Sequence, residues 1–513
     1  MSNTRHYPWK YTALACAFCC ALLALGSGRW VSAQEHTWSA PQVISAPPGF
    51  SWFPDLAADE AGVVHAVWCE TTPQEDGTGL SEQVTYAYWD GQSWSVPNDV
   101  VPPSADIVRN AVATDLAGNV HLLFGGSVYD YNLALYHQKA RISEAWSAAV
   151  WSRPHRINQG ASYMGDIAAD SQGNIHLIYD DALGQAEDGK AARSDIFYRR
   201  SSDGGQIWST PINFYPEPLT GSARSYLEID SSDVLHVTWD EGWDRLTGIQ
   251  ADTFHSVYVF SSDWGETWSP PTIIDYPDNM VRQLTVGSDG RGGVMLVWRT
   301  SLRDEIFYQW SADGGRSWGA PAAIPAIFAR VWTTPFDMYD LAADSAGHIH
   351  LLVVGRETPD RLAETGVYHL VWDGAGWSTP TKVFASQDVH HPEYPKIIVQ
   401  EGNRLHAAWF TREGSQWEET DRLVWYSQSQ SSAPRQAITP HPTATPIPPT
   451  PTPSPMFTVT PYPTYGLTSS GMPTGLYTDH DDMFKLLKSL SPLALALFIL
   501  AFIKTRGFGK FRR

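Results

Sequence analysis

Three arginines hold matching places in this 513-residue chain. Arg299, Arg356 and Arg412 each close an apolar strand pattern, and the spacing between them is nearly constant. A guanidinium is a planar fork, so three of them meeting at one point can grip a carboxylate through paired hydrogen bonds. The alternative is that each pairs with a neighbouring acid at the rim, and Glu357 and Glu413 adjoin two of them. Two phenol–carboxylate pairs, Tyr226 with Glu228 and Glu393 with Tyr394, have the chemistry that nucleophilic glycoside cleavage needs. Trp52, Trp243, Trp332 and Tyr339 offer flat apolar faces for sugar rings, and Asp55, Asp166 and Asp340 offer acceptors for hydroxyls. No metal-ligand spacing, phosphate-cradling glycine loop or Ser/His/Asp motif stands out, so neither a metal nor another cofactor is expected.

A repeat positions these residues. The unit reads acid, two or three residues, Gly, two residues, His, two residues, aromatic, as in Asp59–Trp68, Asp115–Phe124 and Asp170–Tyr179. Its matching positions are His65, His121, His176, His236, Met295, His350 and His406, which makes seven copies. Each copy has alternating segments on both sides of the Gly turn, a third such segment, and then a turn into a Trp-Ser-x-Pro segment. Four strands per copy make one blade of a propeller, so the fold class expected is all-β, a seven-bladed β-propeller. The last copy lacks its own Trp strand, whereas an orphan one, Trp38-Ser39-Ala40-Pro41, stands near the start. That N-terminal strand is expected to close the ring by completing the seventh blade, which hides both sheet edges. The repeated histidines lie on different blades, so they cannot converge on one metal and read as strand-packing residues.

The turn before the Trp strand matches Ser-x-Asp-x-Gly-x-x-Trp three times: Ser201 to Trp208 with Asp203, Ser261 to Trp268 with Asp263, and Ser311 to Trp318 with Asp313. Degenerate versions occur at Asp90 to Trp94 and Asp373 to Trp377. These turns resemble the Asp boxes, or bacterial neuraminidase repeats, of sialidase-like propellers, and the resemblance covers the whole body. The Asp box is a structural device: Asp and Ser satisfy backbone donors, Gly takes positive φ and Trp packs between blades. The resemblance implies a binding face opposite the Asp boxes, and in sialidases an arginine triad, a Tyr nucleophile with a Glu partner, and a Phe/Tyr-Arg-Ile-Pro motif in the first blade. Here the first blade reads Gly49-Phe50-Ser51-Trp52-Phe53-Pro54-Asp55, with no arginine. That departure argues against sialic acid hydrolysis.

Composition and the chain ends set the compartment. With 35 basic and 55 acidic residues the formal charge is −20, which opposes a grip on nucleic acid. Residues 1–33 read as a cleaved secretory signal, with Arg5 and Lys10 ahead of an apolar run and Val31-Ser32-Ala33 at its end. Cys16, Cys19 and Cys20 fall inside it, leaving Cys69 without an intramolecular disulfide partner. The body is expected over 36–431, followed by a Pro/Thr-rich stalk over 432–483 that favours polyproline II. A transmembrane helix over 484–503 and a basic cytoplasmic tail over 504–513 follow, and Lys504, Arg506, Lys510, Arg512 and Arg513 put the C terminus inside. The function expected is that of a cell-surface propeller binding an extracellular glycan or a surface protein; the alternative is an exo-sialidase-like glycoside hydrolase.

Overall fold

The computed structural model describes residues 37–46, 50–73, 80–101, 104, 106–129, 133–182, 194–214, 221–244, 249–278, 280–330, 339–385, 390–413 and 422–438. The expected signal, most of the stalk, the anchor and the tail lie outside the described residues. Among the described residues no helix is long and apolar enough to cross a membrane.

The protein is all-β, consistent with a sialidase-like β-propeller, and its described helix amounts to the short 3-10 turns Ile142–Glu144 and Ala148–Val150. The strands run as successive antiparallel meanders, each beginning with an inner strand and ending with an outer one. The first unit is Phe50–Ala58, Val64–Pro73, Leu80–Trp89 and Asn98–Asp99; the second is Ile107–Thr114, Asn119–Gly126, Ala134–Arg141 and His155–Arg156. The third is Gly165–Ala169, Ile175–Asp181, Asp195–Ser201 and Ile212–Asn213; the fourth is Gly221–Ile229, Leu235–Asp244, Ile249–Ser261 and Thr272–Ile274. The fifth is Val281–Ser288, Val294–Thr300, Glu305–Ser311 and Ala322–Ala329; the sixth is Tyr339–Ala343, Ile349–Arg356, Gly366–Trp372 and Thr381–Ala385. In the last, His390–Gln400, Arg404–Glu413 and Arg422–Gln430 are joined by Gln42–Val43 from the start of the chain. Gln42 lies opposite Tyr426 and Val43 opposite Trp425, so the N-terminal strand takes the outer place that the orphan Trp segment was expected to fill.

The repeated histidines do more than pack. In the first unit Nε2 of His65 faces Asp59 and Nδ1 faces the Tyr86 hydroxyl at 2.8 Å. His176 with Asp170 and Tyr198, and His236 with Asp230 and Tyr258, repeat the arrangement; His406 does so with Gln400 in place of the acid and Tyr426 as third member. With a carboxylate accepting at Nε2, the neutral ring carries its proton there and accepts from the phenol at Nδ1. A turn and two strands of each such unit are thereby brought together around a buried imidazole, with Nε2 of His236 at 3.6 Å from Asp230 beyond hydrogen-bond distance.

The third-strand ring then meets the next unit. Trp151 packs edge-on to Tyr86, Trp208 to His137, Trp268 to Tyr198, Trp318 to Tyr258, Trp377 to Tyr308, Trp38 to His369 and Trp94 to Tyr426, with centroids 4.9 to 5.6 Å apart. Edge-to-face pairs of this kind contribute roughly 0.5–1.5 kcal/mol each beyond area burial. The Asp box delivers the Trp. In the fifth unit Oδ1 of Asp313 accepts from the Ser317 backbone N–H at 2.8 Å, and the Ser311 hydroxyl accepts from Gly315 at 2.9 Å. Gly315 has φ +82°, and a Cβ there would stand 1.9 Å from the Tyr258 hydroxyl oxygen. Glycine is therefore required twice, by conformation and by the close approach of the neighbouring unit.

Past the last strand the chain stays on the body. The Ser431 hydroxyl donates to Asp344 at 2.9 Å, Asn403 Nδ2 donates to the Ala433 carbonyl at 3.0 Å, and Arg435 pairs with Glu401 at 2.6 Å. Residues 432–436, expected at the start of the stalk, are thus tied to the turns of the sixth and last units.

Candidate functional site

The inner strands build the centre. Several carry a bulge, seen as register shifts between Trp52 and Asp55, Ala223 and Tyr226, Arg282 and Thr285, and Glu393 and Lys396. At each of these a non-glycine residue takes left-handed backbone: Phe53, Arg224, Gln283 and Tyr394, with φ between 52° and 59°. Such residues cost roughly 1–3 kcal/mol and concentrate where a strand must re-aim side chains.

Two residues past the bulge, the units place equivalent side chains: Asp55, Ala111, Asp166, Tyr226, Thr285, Asp340 and Lys396, each paired with the residue two beyond the repeat His or Met. The three aspartates act as latches between inner strands. Asp55 accepts from the Val112 N–H at 2.8 Å, Asp166 from Leu227 at 2.9 Å and Asp340 from Ile397 at 2.9 Å. Lys396 is their shared counter-charge, with Nζ 3.6 Å from Asp55; against burial, which lowers it, Tyr394 and then Asp55, Asp340 and Asp166 hold its ammonium well above the usual lysine range. Its Nζ stands 5.5 Å from the Tyr226 ring centroid and 5.4 Å from that of Tyr394. Burial pushes Asp166 up to about 6 against the pull of Lys396, and burial with Asp340, Asp230 and Asp166 nearby pushes Glu228 up to about 8. Tyr226 and Glu228 share one face of the fourth unit's inner strand by the two-residue period, and both flank this axial cluster.

A second cluster is cationic. Arg282 and Arg299 stand directly opposite each other in the fifth unit's register, and both are buried. Like charges in that position repel. Burial, then Arg224 and Arg299, pushes Arg282 down to about 9. Burial likewise brings Arg299 to about 10, with Tyr339 and Asp304 opposing the fall and Arg330 and Arg224 adding to it. Asp240, buried beside Arg224, accepts from the Gln283 N–H at 2.7 Å and the Ser256 hydroxyl at 2.7 Å. Arg330 and Arg412 both bind one oxygen of fully buried Glu393, at 2.7 and 2.8 Å.

The expected residues therefore divide. Of the three matched arginines, Arg299 lies in this cluster and Arg412 is committed to Glu393. Arg356 binds Asp304 at 3.0 Å, the Ala329 carbonyl at 3.0 Å and the Asp360 carbonyl. Arg356 and Arg412 thus pair with two different carboxylates, Asp304 and Glu393, neither of them the glutamate adjacent in sequence. Glu393 is the anchor of two arginines, which occupies one of its oxygens twice over. Tyr394 packs against Phe53 at 5.3 Å, and Arg109 stacks on Phe53 at 3.5 Å. Trp52 stacks on Phe53 and lies under Arg422 at 4.3 Å. Tyr339 is buried and donates its hydroxyl to the Gln283 carbonyl at 2.6 Å, which makes it a strut between units. The Trp243 backbone pairs with Gly221 near the end of its strand, and Trp332 lies outside the described residues. Asp203, Asp263 and Asp313 with Trp208, Trp268 and Trp318 take the structural places described above.

Lys396 and Arg330 were not foreseen. The signal for Lys396 is its register with Asp55, Asp166 and Asp340, legible once the copies are aligned on the repeat His. Among the described residues no group of three or more His, Cys, Asp or Glu is arranged to hold a metal ion.

No curated protein matches the chain. Among solved structures it is similar to a protein of unknown function from Dyadobacter fermentans DSM 18053, at 15% identity over 77% of this chain and 99% of that one, with TM-score 0.46. It is also similar to the NanB sialidase from Streptococcus pneumoniae, at 13% identity over 76% and 70%, TM-score 0.42, and to an ulvan lyase of family PL25, at 12% over 76% and 93%, TM-score 0.44. The model of the BNR repeat-like domain matches residues 132–407, more than half of the chain. With its Asp boxes in register with that repeat, the chain belongs to the sialidase-like BNR repeat family.

Proposed function

We propose that the successive units are the blades of one closed seven-bladed propeller, exported and held at the cell surface by the C-terminal anchor, whose face opposite the Asp boxes binds an acidic extracellular glycan. The observation that carries the ligand class is the opposition of Arg282 and Arg299 on adjacent strands. Two buried guanidiniums facing each other, with Arg224 and Arg330 close by, leave a positive field inside a strongly acidic protein. An incoming carboxylate or sulfate relieves that repulsion, and the forked donors suit a planar or tetrahedral anion. Ring closure is supported by the Trp contacts between successive units and by the pairing of Gln42–Val43 with the last one.

The glycoside hydrolase reading rests on Tyr226 beside Glu228, because a carboxyl raised to about 8 is protonated at neutral pH and can serve as a general acid. Against it, the axial aspartates already hold backbone donors of the next unit and one lysine. The purified chain on an array of sialylated, uronate-bearing, sulfated and neutral glycans is expected to bind acidic members only. Arg282→Ala should abolish that binding, and little fluorophore should be released from a sialic acid conjugate. Binding indifferent to ligand charge overturns the anion reading. Turnover lost in Glu228→Gln establishes the hydrolase in its place.

A further inference from the structure

Six units carry the buried His described above, and in four of them its partner on the third strand is a tyrosine. In the second and sixth units that partner is another histidine. His121 Nδ1 lies 3.0 Å from His137 Nε2, and His350 Nδ1 lies 2.9 Å from His369 Nε2. All four imidazoles are buried, and the rings of each pair are stacked. The outer member of each pair is the ring that receives the next unit's tryptophan: Trp208 on His137 and Trp38 on His369. Trp38 belongs to the N-terminal segment that completes the last unit.

We propose that these two His–His junctions are acid-sensitive hinges of the ring, at which protonation of the outer histidine releases the Trp208 and Trp38 contacts while the tyrosine junctions hold. A phenol has no basic site to charge in this range, whereas an imidazole does. The surroundings of each junction disfavour a second positive charge. Around His137 stand His121 and, beyond it, Asp115 at 3.0 Å from His121; Lys139 and His155 come from its own and the adjacent strand. Burial, then His121, Lys139 and His155, holds His137 well below the usual histidine range. Gly205 lies against the His137 ring, since a Cβ there would stand 2.4 Å from Cε1, so the ring has no room to turn away while the Asp box is seated. Around His369 stand His350, Asp344 at 3.3 Å from His350, and His348 at 3.3 Å from the same carboxylate, with the Ser431 hydroxyl also on Asp344. That one aspartate already serves two imidazoles and a hydroxyl.

The sign follows from proton counts. The outer ring of the closed His137 junction, held low, takes up no further proton, whereas in the opened form it binds one near the ordinary histidine value, so opening grows as pH falls below about 6.5; the His369 junction, with the same stacked geometry, is proposed to follow it. One histidine that titrates only in the opened form raises the opening equilibrium about thirtyfold at about pH 5. Hydrogen exchange of the full chain, corrected for the intrinsic rate, reads this directly in peptides covering residues 37–46 and 134–141. Protection there should fall about tenfold or more between pH 7 and 5, and protection over 195–201 should not. His137→Tyr and His369→Tyr, which install the residue of the other junctions, should each remove the acid response at their own junction alone. Tyr198→His should create one in the third unit. Equal acid loss at tyrosine and histidine junctions, or an unchanged response in both Tyr variants, overturns the proposal. If a Tyr variant fails to fold, Tyr198→His still decides it.

Discussion

Removing the Lys396 ammonium should show what the axial cluster contributes. Lys396→Met keeps length and bulk and deletes the counter-charge of Asp55, Asp166 and Asp340. The nearest pair is 3.6 Å apart, with side chains only 14% and 12% exposed. At an effective dielectric of about 20 that separation corresponds to about 4–5 kcal/mol of attraction. Breaking a buried pair from one side typically costs about 3–5 kcal/mol, because the stranded charge keeps its desolvation penalty. The loss should depend on pH in a definite direction. Asp55, Asp166 and Asp340 already sit above their ordinary values, chiefly through burial, so the folded state binds more protons than the unfolded one. Their unfavourable contribution is present above the folded values and disappears as pH falls through them. Without Lys396 those values rise further, so the variant should be most impaired near pH 8 and recover toward pH 5. Thermal unfolding followed by tryptophan emission, at several pH values, measures this beside Lys382→Met. Lys382 pairs with Glu357 at 3.8 Å with 40% and 47% exposure, where an ion pair contributes about 0–1 kcal/mol. If the two variants melt alike at every pH, the axial cluster is not the charged hub described.

Glu228→Gln should stabilise the protein increasingly as pH rises above about 4.5, where the unfolded carboxyl ionises while the folded one stays protonated, with the gain levelling off above about pH 8; an equal stability difference at pH 4 and pH 9 contradicts its raised value. Gly315→Ala and Gly374→Ala both impose about 1–2 kcal/mol of left-handed strain, but only Gly315 abuts the neighbouring unit, so its variant should melt well below the other in the same emission assay. Deleting 35–43 should lower the melting temperature by many degrees, because it removes both the outer strand of the last unit and the Trp38 contact; an unchanged melting curve refutes closure by that strand. Protease added to intact cells should release the body by cutting in the Pro/Thr stretch beyond residue 438, and a body protected until lysis reverses the proposed orientation.

Much of the architecture is legible in the sequence because its signals are local and repeated. The six-residue interval from Asp59 to His65, from Asp115 to His121 and from Asp170 to His176 is the hydrogen bond itself, written as spacing. The Asp boxes are legible for the same reason, since donor, acceptor and glycine lie within eight residues. The orphan Trp segment is informative only by its absence at the other end, and the pairing of Gln42 with Tyr426 follows from counting strands.

The centre escapes such reading because each of its contacts joins different units. Glu357 and Glu413 adjoin Arg356 and Arg412 in sequence, yet neighbours along a strand point to opposite faces. Arg356 consequently finds Asp304, and Arg412 finds Glu393 across its own sheet, while Glu357 turns to Lys382. The bulges add a further break. The extra residue at Tyr394 shifts the alternation that would place Glu393 and Lys396, so the carboxylate joins the arginines and the ammonium joins the aspartates. Without the bulge, Lys396 would change face relative to Glu393, and two segregated fields, one acidic with Lys396 as its counter-charge, one rich in arginine with Asp240, Asp304 and Glu393 among its acids, would mix. That segregation gathers arginines together in a chain whose net charge is −20, the arrangement on which the proposed anion binding rests, and it depends on backbone strain at residues whose identities alone give no sign of it.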